Sequence, residues 1–232
     1  MGRRATAKVR PFDGVAPDGS ERGVLTPALQ RLEAVFAAVD STRVAIDCHW
    51  RFNLALARAF VEWQETAGRL YWLEDLLDFE LSDQAVADFR SAFPGTRWAG
   101  GEDVIHPRAA ESLINGPARP DVFMPDEKHL CGLDVMRDLL LLARARGCAL
   151  SLHNPSGPIA TAVSAHLCKV VGAEEPLEFC FRAVDGRPAL TDPVEPVEGG
   201  IYHLGEAPGI GLAPSKKALE EYATVLAKGS AA

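Results

Sequence analysis

One pattern recurs six times in this chain and constrains its fold more than any other feature. A short apolar run ends in a charged or imidazole side chain. Val44-Ala-Ile46 ends in Asp47, Leu70-Tyr-Trp-Leu73 in Glu74, and Arg97-Trp-Ala-Gly-Gly101 in Glu102. Asp121-Val-Phe-Met124 leads through Pro125 to Asp126, Cys148-Ala-Leu-Ser-Leu152 ends in His153, and Pro176-Leu177 in Glu178. Successive polar positions are 27, 28, 24, 27 and 25 residues apart. Small and β-branched apolar runs suit strands buried on both faces, as in parallel sheets. A βα unit of an eight-fold barrel takes about 30 residues, and such barrels build their sites at the strand C-termini. One polar side chain per unit, always after the strand, predicts a ring of side chains around one mouth.

The intervening segments read as helices. Leu54 to Thr66, Ser82 to Ser91, Ala109 to Asn115, Leu133 to Arg146 and Pro158 to Val171 have apolar positions at helical spacing, with Gly147 and Gly172 as stops. An earlier strand lies in Thr6 to Gly14 and carries Lys8. Residues 14–23 read as a loop, and Thr26-Pro27 reads as a helix start, with Thr26 as N-cap. Alternating strands and helices imply a parallel α/β fold. The chain divides at about residue 190 into a (β/α) barrel domain, 1–190, and a C-terminal extension, 191–232. The extension holds a short strand near Gly200 to His203 and a last helix from Ser215 to Lys228. Strand candidates number seven, from Lys8 to Glu178, and a closed barrel needs eight.

The formal net charge of −8 argues against a nucleic-acid or anionic-membrane partner. No apolar run approaches a membrane span, and no apolar signal core follows Met1-Gly-Arg-Arg4. The five cysteines (Cys48, Cys131, Cys148, Cys168 and Cys180) are odd in number and form no Cys-x-x-Cys. They read as reduced thiols of a cytoplasmic protein.

If Asp47, Glu74 and Glu102 converge, three like charges share a small space and need a counter-charge. A hard divalent cation with oxygen ligands supplies it, and Mg2+ fits best, since no His or Cys lies at zinc-like spacing. The alternative is three unrelated surface acids at loop starts. The regular interval favours the common mouth. Asp126 and His153 come from adjacent strands, and a carboxylate beside an imidazole fixes its tautomer and suits it to be a general base. His106, His129, His166 and His203 read as surface or packing residues.

The order of these pieces resembles the mandelate racemase and muconate lactonizing branch of the enolase superfamily. It rests on Asp47-Cys-His49, Trp72-Leu-Glu-Asp75, Gly100-Gly-Glu102, Met124-Pro-Asp126, Leu152-His-Asn-Pro-Ser-Gly-Pro158 and Leu177-Glu-Phe179, and covers about residues 6–215. The resemblance implies a TIM-type barrel, with Mg2+ on Asp47, Glu74 and Glu102 stabilising an enediolate. It also implies His153 as base, oriented by Asp126, and Glu178 on the substrate carboxylate. Asp-x-His-x-Arg at 47–51 is most similar to the acid-sugar dehydratases, in which the histidine matching His49 protonates the leaving hydroxyl. Arg10 and Arg51 are then candidate contacts of a small sugar-acid substrate, and Lys8 a further catalytic candidate. The family's Lys-x-Lys is Lys8-Val-Arg10 here. Arginine stays protonated, so one-base elimination is favoured over two-base racemisation or cycloisomerisation. The family's capping domain and first barrel strand have no match in the chain, which implies a barrel of strands two to eight that either self-associates through its open edges or is markedly less stable than a full-length relative. The rival reading from another class is a folded, non-catalytic module.

Overall fold

The computed structural model describes residues 6–15, 21–68, 70–77, 81–130, 132–180 and 186–221. Six parallel strands form one sheet in chain order: β1 (Ala7–Val9), β2 (Val44–Asp47), β3 (Trp72–Glu74), β4 (Trp98–Gly100), β5 (Val122–Phe123) and β6 (Ala149–Leu150). Helices α1 (Glu21–Phe36), α2 (Leu54–Ala67), α3 (Asp83–Ser91), α4 (Pro107–Asn115), α5 (Leu133–Ala145) and α6 (Pro158–Val171) alternate with the strands and follow β6. Local chemistry sets several ends. Asn53 caps α2 by accepting from Leu56 N–H, and Ser82 caps α3 by accepting from Ala85 N–H. Gly172 ends α6 at φ 64, a conformation that costs glycine nothing.

The strand period of two separates three cores. Val44, Ile46 and Leu73 face outward and pack with α1, α2 and α3 residues such as Leu32, Phe60 and Phe89. Phe123 and Leu150 do the same with Ile114, Leu140 and Leu167 in the second half. The alternate positions Ala45, Trp72, Ala99, Val122 and Met124 face inward as a separate cluster. The next inward positions after Ala45 and Trp72 are Asp47 and Glu74, which are register partners. The inner apolar cluster is thus the floor beneath the acids.

Two expectations shift. Helix α1 begins at Glu21, and Pro27 lies inside it. An internal proline costs about 3 kcal/mol, but Val24 and Leu25, ahead of it, are buried in the core, and that burial offsets the cost. The expected strand at Pro176 to Glu178 is not part of the ladder among the described residues. Pro176 lacks a donor, and side chains hold the segment instead. Ser151 Oγ donates to Pro176 O, and Asn154 Nδ2 donates to Glu178 O (2.7 and 3.1 Å). At the opposite end Glu175 accepts from Tyr71 Oη and from Arg97 Nη2.

The C-terminal part forms two antiparallel pairs, β7 (Thr191–Asp192) with β10 (Ala213–Pro214) and β8 (Val197–Glu198) with β9 (Ile201–Tyr202). Arg187 ties it to the barrel by donating to Ser156 O, Thr161 Oγ1 and Glu195. Ser215 caps the last helix by accepting from Ala218 N–H, and the helix runs from residue 216 through 221; its expected continuation to Lys228 lies outside the described residues. So does Cys131, and Cys48, Cys148, Cys168 and Cys180 are free thiols. No described helix is long and apolar enough to cross a membrane.

Candidate active site

Asp47, Glu74 and Glu102 each present a carboxylate oxygen, all within 4.8 Å of one another, and all three residues are buried. Asp47 and Glu74 end adjacent strands in register, and Glu102 follows β4 after Gly100 and Gly101. Two local features fix this geometry. The loops after β2 and β3 lock together, with Cys48 N–H donating to Glu74 O and Trp50 N–H to Asp75 O (2.9 and 2.6 Å). His49, Trp50 and Asp75 all take positive φ (50, 53 and 46), a strained conformation for non-glycine residues that clusters at functional sites. Gly101 stands at φ 121, and a Cβ there would lie 2.8 Å from Phe123 Cε2. Gly101→Ala is therefore expected to cost about 1–3 kcal/mol, read as a lower midpoint in a urea melt.

Burial and the neighbouring acids raise Glu74 to about 8, although Lys8 pulls against them. Asp75, which the sequence reading quoted without a role, lies beside the trio. Burial and then Glu74, Glu102 and Asp47 hold its carboxyl well above the usual range, and its buried Oδ2 has no hydrogen-bond partner. This donor set fits a hard cation: three convergent carboxylates, a fourth acid beside them, and no thiolate or imidazole among them. Asp47, Glu74 and Glu102 are the residues that would hold it.

Lys8 is pinned between two acids, its Nζ 2.9 Å from Glu74 Oε1 and 2.9 Å from Glu178 Oε1. That pair of contacts spans from β1 to the Glu178 segment, where the sheet has no strand. Burial works against the Lys8 charge, but Glu74, Glu178 and Asp47 outweigh it and raise its pKa. His153 faces the trio from the next strands. Its Nδ1 lies 2.9 Å from Asp126 Oδ2 and its Nε2 2.9 Å from Glu102 Oε2, with Glu178 Oε2 at 3.9 Å. Burial disfavours the imidazolium, yet the bonds to Asp126 and Glu102 raise His153 to about 10. Burial alone would raise Asp126, but His153 and Lys128 bring it below the usual carboxylate range; Lys128 Nζ reaches its two oxygens at 2.6 and 2.5 Å.

Because the folded pKa of His153 is raised, its contribution to stability is complete below the unfolded value of about 6.5 and is lost as pH rises through about 10. In EDTA the urea midpoint is expected to fall across that window, and this component is expected to vanish in His153→Asn.

The remaining candidates divide. His49 Nε2 is 2.9 Å from Asp47 Oδ2, so His49 joins the site. Glu178 Oε2 accepts from Asn154 N–H at 3.1 Å. Arg10 is half-exposed and 3.5 Å from Asp13. Arg51 is engaged within the chain: its Nη1 donates to Phe12 O and Val15 O. The sequence reading missed Asn154, Lys128, Asp13 and His129, whose Nδ1 is 2.7 Å from Glu102 O. Only Asn154 had a signal, its place directly after His153.

Residues 5–218 match the family model for the enolase C-terminal domain-like proteins. The chain belongs to that family. It is 28% identical over 221 residues to a D-xylonate dehydratase of Haloferax volcanii, an alignment that covers 91% of this chain and 53% of the relative. The enolase-family chain thus spans about half the length of the curated relative it matches. A mandelate racemase/muconate lactonizing enzyme-like protein from Rubrobacter xylanophilus superposes with a TM-score of 0.83 at 27% identity, covering 93% of this chain and 56% of that one. An enolase protein from Sargasso Sea environmental sequencing gives a TM-score of 0.80 at 23% identity, over 93% and 58% of the two chains. At that identity the second likeness shows the fold alone.

Proposed function

We propose that this chain carries the catalytic barrel of a Mg2+-dependent sugar-acid dehydratase. The observation that carries this reading is the pairing of His153 with Asp126 at the edge of three converged carboxylates. The D-xylonate dehydratase relative supports the substrate class. A divalent cation on Asp47, Glu74 and Glu102 would draw in a substrate carboxylate and acidify the neighbouring C–H.

With its charge engaged by a cation, Glu102 would no longer hold Nε2 and favour the imidazolium, and the neutral His153 ring takes that proton. Asp126 holds Nδ1, which leaves Nε2 facing the mouth. Glu178, fixed by Asn154 and paired with Lys8, orients the substrate carboxylate. His49 gives a proton to the departing β-hydroxyl. Lys8 is no second base, because deprotonation would leave Glu74 and Glu178 without their ammonium. Arg10 stays charged. One base facing one acid gives elimination.

The test is a screen of sugar acids, D-xylonate included, with Mg2+ or EDTA. A 2-keto-3-deoxy product that requires Mg2+ supports the reading. An epimerised substrate without elimination would assign the chain to racemisation instead, and no turnover would leave the non-catalytic module.

We also propose that the chain self-associates. Among the described residues β1 pairs with β2 alone, and an exposed strand edge is a template for another chain. Sedimentation velocity should show a dimer or larger species; a monomer at all concentrations would exclude it.

A further inference from the structure

We propose that Asp13 is a positioning residue for His49: its carboxylate holds the Nδ1 side of the ring, so that Nε2 points at the mouth. This rests on the dehydratase reading for the role of His49. Asp13 Oδ1 lies 3.6 Å from His49 Nδ1, and His49 Nε2 lies 2.9 Å from Asp47 Oδ2. The imidazole therefore sits between two carboxylates, one from each side.

The two carboxylates are not equivalent. Asp47 belongs to the acidic trio, and a cation there would take up its charge. Asp13 stands outside the trio, so its hold on His49 does not depend on what the trio binds. A ring held from outside keeps its orientation when the site is loaded.

The placement of Asp13 is fixed by other residues. Phe12, only 1% exposed, anchors the neighbouring position in the core. Its ring packs edge-on to Phe52 and Phe60, with centroids 4.6 and 5.1 Å apart. Phe52 follows the loop that carries His49, so the two loops pack as one unit. Arg31 Nη1 donates to Pro11 O and Asp13 O, each at 2.7 Å, and Arg51 clamps Phe12 O and Val15 O. With the backbone secured by these bonds, the carboxylate itself is not needed to hold the loop. It faces His49, Arg51 Nη2 at 3.6 Å and Arg10 Nε at 3.5 Å. Asp13 thus gathers the basic side chains on this side of the mouth, and His49 is the one among them that also reaches the acidic trio.

Long-range proton–nitrogen spectra of the imidazoles test the contact without turnover, with His49 assigned from His49→Asn. At fixed pH, Asp13→Asn, which keeps the shape and removes the charge, should move the His49 Nδ1 resonance and leave the His153 pair in place. Asp13→Glu should return it toward wild type. Superimposable His49 resonances in wild type and Asp13→Asn would overturn the proposal. With Mg2+ and D-xylonate, Asp13→Asn should lower kcat for elimination by about tenfold or more with KM within about twofold. Exchange of the α-proton, which needs His153, should persist. A rise in KM at unchanged kcat would assign Asp13 to substrate binding through Arg10 and Arg51 and overturn the positioning role. If the wild type eliminates no sugar acid, the dehydratase reading fails, and the spectra still decide the contact.

Discussion

Titration of Mg2+ into the chain should reveal one site, with an affinity on the order of millimolar or tighter, and the variant Asp47→Asn/Glu74→Gln/Glu102→Gln should show none. The three acids supply ligand oxygens within 4.8 Å of one another from consecutive strands. In the metal-free chain their mutual repulsion is relieved by Lys8 on Glu74, His49 on Asp47 and His153 on Glu102. A cation competes directly with those three side chains. Neutral amides keep the shape of the site and remove the charge that a hard cation needs. The single variant Glu74→Gln should weaken binding less than the triple, and near-UV circular dichroism should show both folded. Calorimetry giving equal heats for wild type and triple variant would place the cation elsewhere.

His153→Asn is expected to slow exchange of the substrate α-proton with D2O by about 10²–10⁴-fold, the range typical of a lost general base. The measurement is the loss of the α-proton NMR signal of D-xylonate in the presence of Mg2+. Asparagine preserves a donor toward Asp126 but has no site for the proton. Asp126→Asn should also slow exchange, because the Nδ1 contact at 2.9 Å that sets the tautomer becomes a neutral one. Exchange at the wild-type rate in His153→Asn would move the base to another residue, with Lys8 the next candidate. That outcome would require Lys8 to lose its proton against the pull of Glu74 and Glu178.

The repeat of apolar run and polar end was enough to read the parallel α/β barrel and the trio Asp47, Glu74 and Glu102 from the sequence. A strand buried on both faces must be apolar throughout, so the first charged residue marks its end. Parallel strands put all those ends on one side, and regular spacing then predicts convergence. Asp126 and His153 were legible for the same reason. Asp13 was not, because it sits in a turn whose position depends on Phe12 packing against Phe52 and Phe60, a contact between segments about 40 or more residues apart. Nor did any local signal show that Arg51 serves backbone carbonyls, or that Lys8 bridges Glu74 and Glu178. Pro27 shows the limit from the other side. Its local rule predicted a helix start, and the burial of Val24 and Leu25 overrode it. Periodicity fixes which residues face the core and the mouth; which charges meet there depends on how distant loops pack.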